Sequence, residues 1–277
     1  MTTAFNGIAA QPAPAPQKSR MSKARALGLI LLAIWIACAL GIVYFLISSW
    51  NPELVARYGP NYASGLWVTV KLVVISFIAG AILSVPVAMG RKSANSLARG
   101  LSYGYVYFFR GTPLLAQTFL IYYGLGSFRP QLDAIGLWWF FRDAWYCAIL
   151  AFTLNTAAYQ AEILRGAIAS VPRGQWEAAA ALGLSRWITI RKVIAPQAML
   201  VALRPYVNEL ILLLKGSAIV AIITVFDLMG ETRRAYARSF DFQTYIWAAL
   251  IYLALVELLR IGTEKAEQRL TRHIRRA

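Results

Sequence analysis

The sequence predicts an all-α integral membrane protein, and three observations carry that prediction. Of its 277 residues, 59% are hydrophobic and only 14% charged, where soluble domains carry about 25% charged residues. Six apolar runs come near the roughly 20 residues that take a helix across about 30 Å of hydrocarbon. The basic residues collect between alternate runs, as lysines and arginines do on the cytoplasmic side of a membrane.

The first run, residues 26–48, follows a head, residues 1–25, containing the tract QPAPAP and the basic cluster KSRMSKAR. The apolar part of a cleaved signal would be about 7–15 residues long and end at small residues. This run is longer and ends in bulky ones, so it reads as a retained accessory helix. Five further spans are expected at 68–90, 102–124, 144–164, 199–224 and 243–262. The third is interrupted at Arg110–Gly111–Thr112–Pro113. Thr112 offers an N-cap there and Pro113 a first helical residue, so a helix is expected to restart at this point.

With the N-terminus inside, the cytoplasmic segments hold 17 basic residues. The external loops hold six arginines (Arg57, Arg129, Arg142, Arg233, Arg234, Arg238) against six acids (Glu53, Asp133, Asp143, Asp227, Glu231, Asp241), a neutral balance. Both termini are then cytoplasmic, the second as a basic tail, 263–277. Topology accounts for most of the net charge of +16, so nucleic acid is not an expected partner.

Cys38 and Cys147 fall inside spans and read as small packing residues. His273 is the single histidine. There is no Cys/His cluster and no GxxxxGK[ST] phosphate loop, so no enzyme, metal or cofactor chemistry is expected of the chain, and ATP binding of the P-loop kind is excluded. Energy for active work has to come from an ion gradient or from a partner.

The stretch GQWEAAAALGLSRW, 174–187, falls on the cytoplasmic side. Its alanines favour helix, and Glu177 is expected near the helix N-terminus, where it complements the dipole. Gly183 is the expected left-handed C-terminal residue. Ser185 can cap a second helix with Trp187, Ile190 and Ile194 on one face, and Pro196 is expected to break or kink it near Ala195. Trp176 is an amphipathic anchor of the kind enriched at interfaces. Such an element could lie on lipid headgroups, yet alanine is a poor lipid anchor, which favours a protein partner.

Polar residues inside spans are candidate pathway groups. Asn155, Tyr159 and Glu162 form one stripe; Arg204, Asn208 and Lys215 form another, with Glu209 one position aside. The same groups could instead pair between helices and hold the bundle together.

E-A-A, three residues, G, nine residues and V-x-A-P (Glu177, Ala178, Ala179, Gly183, Val193, Ala195, Pro196) resembles the EAA signature of permease subunits in binding-protein-dependent ABC importers. The usual ending is I-x-L-P, so Ala195 stands where leucine is common. FRGTPLLAQTFLIYYGL (109–125) and NTAAYQAEILRGAIASVPRGQWEAA (155–179) are similar to the polar amino-acid branch of that family. YVNELILLLKGSAI (206–219) is similar too, with Gly216 and Ala218 where Asp or Asn and Ser or Thr are frequent. The resemblance spans about residues 62–262. It implies a type I importer permease, a five-helix core plus the N-terminal helix, in a bacterial inner membrane. The element 170–196 would be a coupling helix docked on a cytoplasmic ABC ATPase dimer through Trp176, Glu177, Ala178, Ala179, Gly183 and Arg186. A second permease subunit and a periplasmic substrate-binding protein complete the implied complex. Asn155, Tyr159, Asn208, Glu209 and Lys215 are the pathway candidates, and the cargo a polar amino acid, basic amino acid or opine. A secondary transporter or channel, the rival reading, would need internal repeats or gating charges that the chain does not display.

Overall fold

The computed structural model describes residues 23–270; most of the basic head and residues 271–277, with His273, lie outside that range. Among the described residues every regular element is helical. Two compact units divide after Asn51. The first contains α1 (Lys23–Ser48), which buries none of its residues. Its apolar side chains are exposed all round, and Cys38 is exposed with them instead of packed. Lipid can solvate such a helix and water cannot.

The second unit opens with α2 (Pro52–Arg91), 40 residues and about 60 Å long at 1.5 Å per residue. Its first 16 residues were expected as external loop, and the structure makes them helix. Leu54, Tyr58, Tyr62, Gly65 and Thr69 recur every three or four residues and are all buried. The Tyr62 hydroxyl donates to the Thr244 carbonyl at 2.7 Å. Pro60, which masks this periodicity, is exposed, so its only cost is a lost backbone hydrogen bond and some crowding of the preceding turn.

Asn95 caps α3 (Ser96–Gly111), accepting from the Leu97 and Ala98 amides. The helix stops at the expected break, but Thr112 ends α3 instead of opening the next helix: its hydroxyl donates back to the Phe108 carbonyl at 2.8 Å. Pro113 occupies the N-cap of α4 (Leu114–Phe119), which runs on through a π turn to Gly124. Two short helices, α5 (Arg129–Ala134) and α6 (Trp138–Phe141), lead to α7 (Ala144–Ser170), capped by Asp143.

α7 packs along α2 as the centre of the bundle. Ala148, Ala151, Ala157, Ala158 and Ala161 are wholly buried, and a Cβ on Gly80 would overlap the Thr156 methyl. Small residues on both helices bring the backbones together, as in membrane bundles generally. Cys147 is buried, as expected, and its thiol donates to the Phe141 carbonyl.

α8 (Arg173–Ala181) and α9 (Arg186–Ile188) connect α7 to α10 (Ala195–Gly216). A 3-10 turn, Ser217–Ile223, leads to α11 (Leu228–Ser239), and α12 (Gln243–Leu270) completes the chain. Among the described residues four helical runs are long and apolar enough to cross a membrane: Lys23–Ser48, Pro52–Arg91, Arg186–Ile223 and Gln243–Arg269. The other two expected spans differ for physical reasons. One is divided at Thr112, and α7, at 27 residues, carries Asn155, Thr156, Gln160, Glu162 and Arg165, which lower its hydropathy. Chain order puts α8 at the end of the bundle where α7 finishes and α10 begins. α11 therefore belongs to the opposite end, where Arg142, Asp143, Thr224 and Phe226 line one recess.

Candidate functional site

The α8 end is built from a helix terminator. Leu182 closes α8 and Gly183 follows at φ +67°, a conformation that only glycine adopts without strain. Its N–H donates to the Ala180 carbonyl at 2.9 Å and the Leu184 N–H to the Ala179 carbonyl at 3.1 Å. This double closure is a Schellman motif. Ser185 then caps α9, accepting from the Ile188 amide.

The face of α8 is divided. Ala179 is buried, and Trp176 packs on Ala167, Val171, Ile194, Ala198 and Ala202 of the body. Those two expected docking residues hold α8 to its own chain. Glu177, Ala178 and Arg186 point outward, and Leu182 is 77% exposed. Glu177 is the fifth residue of α8 and not part of its first turn, so its expected dipole role is not realised. Among the described residues neither Glu177 nor Arg186 forms an ion pair.

Of the break or kink expected near Ala195, the break is absent and a π turn ends one residue before it. Thr189–Ile194 forms a π turn and Ala195 keeps helical dihedrals, so the wider turn accommodates Pro196 without a break. It also rotates the face. Thr189 and Ile194, five apart, are buried, while Trp187 is 69% and Ile190 42% exposed. The apolar face expected at normal helical spacing is therefore split.

The second region lies among α3, α7 and α10. Asn155 donates to the Phe109 carbonyl and to Gln117 Oε1, both at 3.0 Å. Gln117 donates to the carbonyls of Phe109 and Thr112. The broken helix leaves carbonyls open, and these two amides satisfy them, as hydrocarbon surroundings require. Glu209, 6% exposed, accepts from the Thr156 hydroxyl at 2.9 Å. Thr156 in turn accepts from Gln160, whose amide also reaches the Phe77 carbonyl.

Beside this network, a recess of about 540 Å³ is lined by Arg91, Tyr103, Arg110, Tyr159 and Glu162. A neighbouring one of about 440 Å³ shares Arg110, Tyr159 and Glu162. Glu162 is held by Arg91 at 3.0 Å and Arg165 at 2.7 Å. The Arg110 guanidinium stands 5.2 Å over the Tyr159 ring and has no ion pair among the described residues. In the sequence Arg110 marks the helix break, and its charge inside an expected span is the signal of a further role. Asn208 and Lys215 do not join the recess. They lie exposed on α10 with Arg204, which pairs instead with Glu267 of α12 at 2.8 Å.

The chain matches, over residues 77–272, the family described as the inner membrane component of binding-protein-dependent transport systems. It belongs to that family. The permease is 41% identical to the nopaline transport system permease protein of Agrobacterium fabrum over 80% of its own length and 93% of that relative. It is 39% identical to the arginine ABC transporter permease protein of Haemophilus influenzae, over 74% and 88%. It also resembles the solved structure of an amino acid ABC transporter with histidines, at a TM-score of 0.70 and 32% identity, covering 79% of the permease and 98% of that chain. The permease is thus a multi-pass inner-membrane component of an ABC importer, a kind of complex that includes an ATPase and a binding protein.

Proposed function

We propose that this permease is one of two such subunits, identical or related, in an importer of a polar amino acid or opine, with basic amino acids and opines as the cargo class. A periplasmic binding protein delivers the cargo, and a cytoplasmic ATPase dimer docks through Glu177, Ala178, Leu182, Gly183 and Arg186. One observation carries this reading: α8 is fastened to the body through Trp176 and Ala179 while Glu177 and Ala178 stay free on its outer face. A force applied to that outer face moves α7 and α10 with it. ATP-driven approach of the ATPase subunits can then bias an inward-open and outward-open equilibrium, provided it favours one state over the other.

The recess supplies complementary chemistry for a zwitterion. Arg110 offers donors to a carboxylate and Tyr159 a ring face to an ammonium, while Glu209 does not line the recess and stays buried in the adjoining network. Asn155 contributes by holding the broken helix, since both its amide hydrogens are engaged. Asn208 and Lys215, on the exposed face of α10, would meet the cargo or the second subunit.

The test is purification in mild detergent with uptake of labelled arginine, octopine and nopaline. An ATPase subunit should co-purify, and Glu177→Lys should abolish uptake with the protein still in the membrane. Uptake by this chain alone on an ion gradient, or full uptake by Glu177→Lys, would overturn the reading.

A further inference from the structure

The recess at the end of the bundle opposite α8, about 560 Å³, shares no residue with the two recesses at Arg110. Its walls are aromatic: Tyr122 from the turn after α4, Trp145 from the first turn of α7, and Phe226 from the segment before α11. Arg142 and Asp143, neighbours in the chain, also line it. Both are exposed, and neither forms an ion pair among the described residues. Asp143 Oδ1 accepts from the Trp145 amide at 2.9 Å, which fixes the carboxylate at the start of α7 and leaves its second oxygen for another donor. A cavity of a few hundred cubic ångströms with apolar walls and a few polar groups is the usual form of a small-molecule site.

Thr224 adds an independent mark. It lines the same recess at φ +66°, and a β-branched residue is a genuine outlier in that conformation. Its amide donates to the Val220 carbonyl, while its side chain is exposed toward the recess. Strain of this kind collects where a ligand is clamped. Lys71 and Arg234 stand over the rings of Trp145 and Phe226, at 5.8 and 5.4 Å, so positive charge exceeds negative around the recess.

An aromatic box that sets an unpaired cation beside an unpaired anion complements a small molecule carrying both charges at once. We propose that this recess receives a zwitterionic amino acid or opine, its carboxylate on Arg142 and its ammonium on Asp143, before the cargo reaches the recess at Arg110; this rests on the importer reading above. Both sites stand on α7. Asp143 is its cap, and Tyr159 lies 16 residues further on, about 24 Å at 1.5 Å per residue. One helix thus carries a receiving site at its start and a deeper one along its length. The surplus of positive charge makes the carboxylate end the firmer contact. A phosphatidylethanolamine headgroup carries the same pair of charges, and the test separates it from soluble cargo.

The test uses the permease complex with its ATPase, without the binding protein, in vesicles of phosphatidylcholine and phosphatidylglycerol. Cys38→Ala and Cys147→Ala clear the background, and Phe226→Cys is labelled with a membrane-impermeant maleimide; Thr224→Cys serves where Phe226→Cys reduces membrane levels. Arginine, octopine or nopaline should slow the labelling. Agmatine, which lacks the carboxylate, and N-acetylarginine, which lacks the ammonium, should not. The half-protecting concentration should rise at least about tenfold with Arg142→Gln or Asp143→Asn, each the loss of a charge-assisted hydrogen bond. Asparagine keeps an acceptor for the Trp145 amide, so the start of α7 is preserved. Arg110→Gln, in the other recess, should leave the protection in place. Protection indifferent to both Arg142→Gln and Asp143→Asn, given equally by agmatine and N-acetylarginine, or lost with Arg110→Gln would overturn the proposal. So would labelling slowed by phosphatidylethanolamine in the vesicles and not by added cargo. If no cargo slows the labelling while one is still taken up with the binding protein present, only this recess is misassigned. If none is taken up and no ATPase co-purifies, the importer reading has itself failed.

Discussion

α8 and α11 are short surface helices at opposite ends of one bundle, and both finish on a residue with positive φ. α8 does so with Gly183 at +67°, relaxed and doubly closed. α11 does so with Phe240 at +52°, closed by a single bond from its N–H to the Tyr236 carbonyl at 2.7 Å. The first end uses the residue suited to the geometry and leaves a small-residue face. The second accepts strain and gains a projecting ring. Glycine gives a tight, quiet turn where two backbones can come close; phenylalanine in the same conformation projects a ring at the cost of stability.

The largest expected effect comes from imposing strain on the relaxed end. Gly183→Val puts a β-branched residue in the left-handed region, which costs about 1–3 kcal/mol locally, and should loosen the α8–α9 turn. Uptake is expected to fall at least about tenfold, with the complex assembled; uptake assays beside membrane quantification decide it. Unchanged uptake would mean that the turn geometry at Gly183 is dispensable.

The reciprocal change is smaller and opposite in sign for stability. Phe240→Gly removes the strain and should leave thermal stability equal or higher by about 1 kcal/mol. A loss of stability would make Phe240 a packing residue and dissolve the contrast.

The smallest effect concerns pH. Burial pushes the Asp227 carboxyl up to about 6, against the lowering influence of the Gly230 and Met229 amides and the Tyr252 hydroxyl. A carboxyl whose folded value lies above its unfolded value of 3.8 favours the folded state when protonated. That stabilisation is full below about 4 and is lost as pH rises through about 6. Thermal melting should therefore show the α11 end more stable at pH 5 than at pH 7. Asp227→Asn, which keeps an acceptor for the Gly230 amide, should flatten that difference.

The α8 end was legible because its signals are local. Gly183 in a non-periodic position and Ser185 before a helix fix a turn whatever packs around it. The helix break at Thr112 was legible for the same reason, within one residue. What escaped was set by long-range packing. Residues 52–67 are helical because Leu54, Tyr58 and Tyr62 find α11 and α12, contacts that Pro60 hides in a linear reading. The π turn at 189–194 turns Thr189 inward and Trp187 outward, which no 3.6-residue period can indicate. Arg233 and Glu231 count equally in a charge tally, and only the fold shows that one faces out and the other in. Arg110 is legible in the sequence too, since a charge at membrane depth is itself a signal.

α2 has a consequence at the scale of the whole bundle. About a third of the way along it Gly65 lies so close to the Asp227 carbonyl that a Cβ there would come within 2.8 Å, and at its last residue Arg91 grips Glu162. One helix thus touches the foot of α11 and, about 39 Å farther along, the part of α7 that leads into α8. α2 stays helical through Pro60 and Pro86, so a tilt imposed at one side of the membrane is carried to the other along one continuous element, as a see-saw delivers it across a pivot.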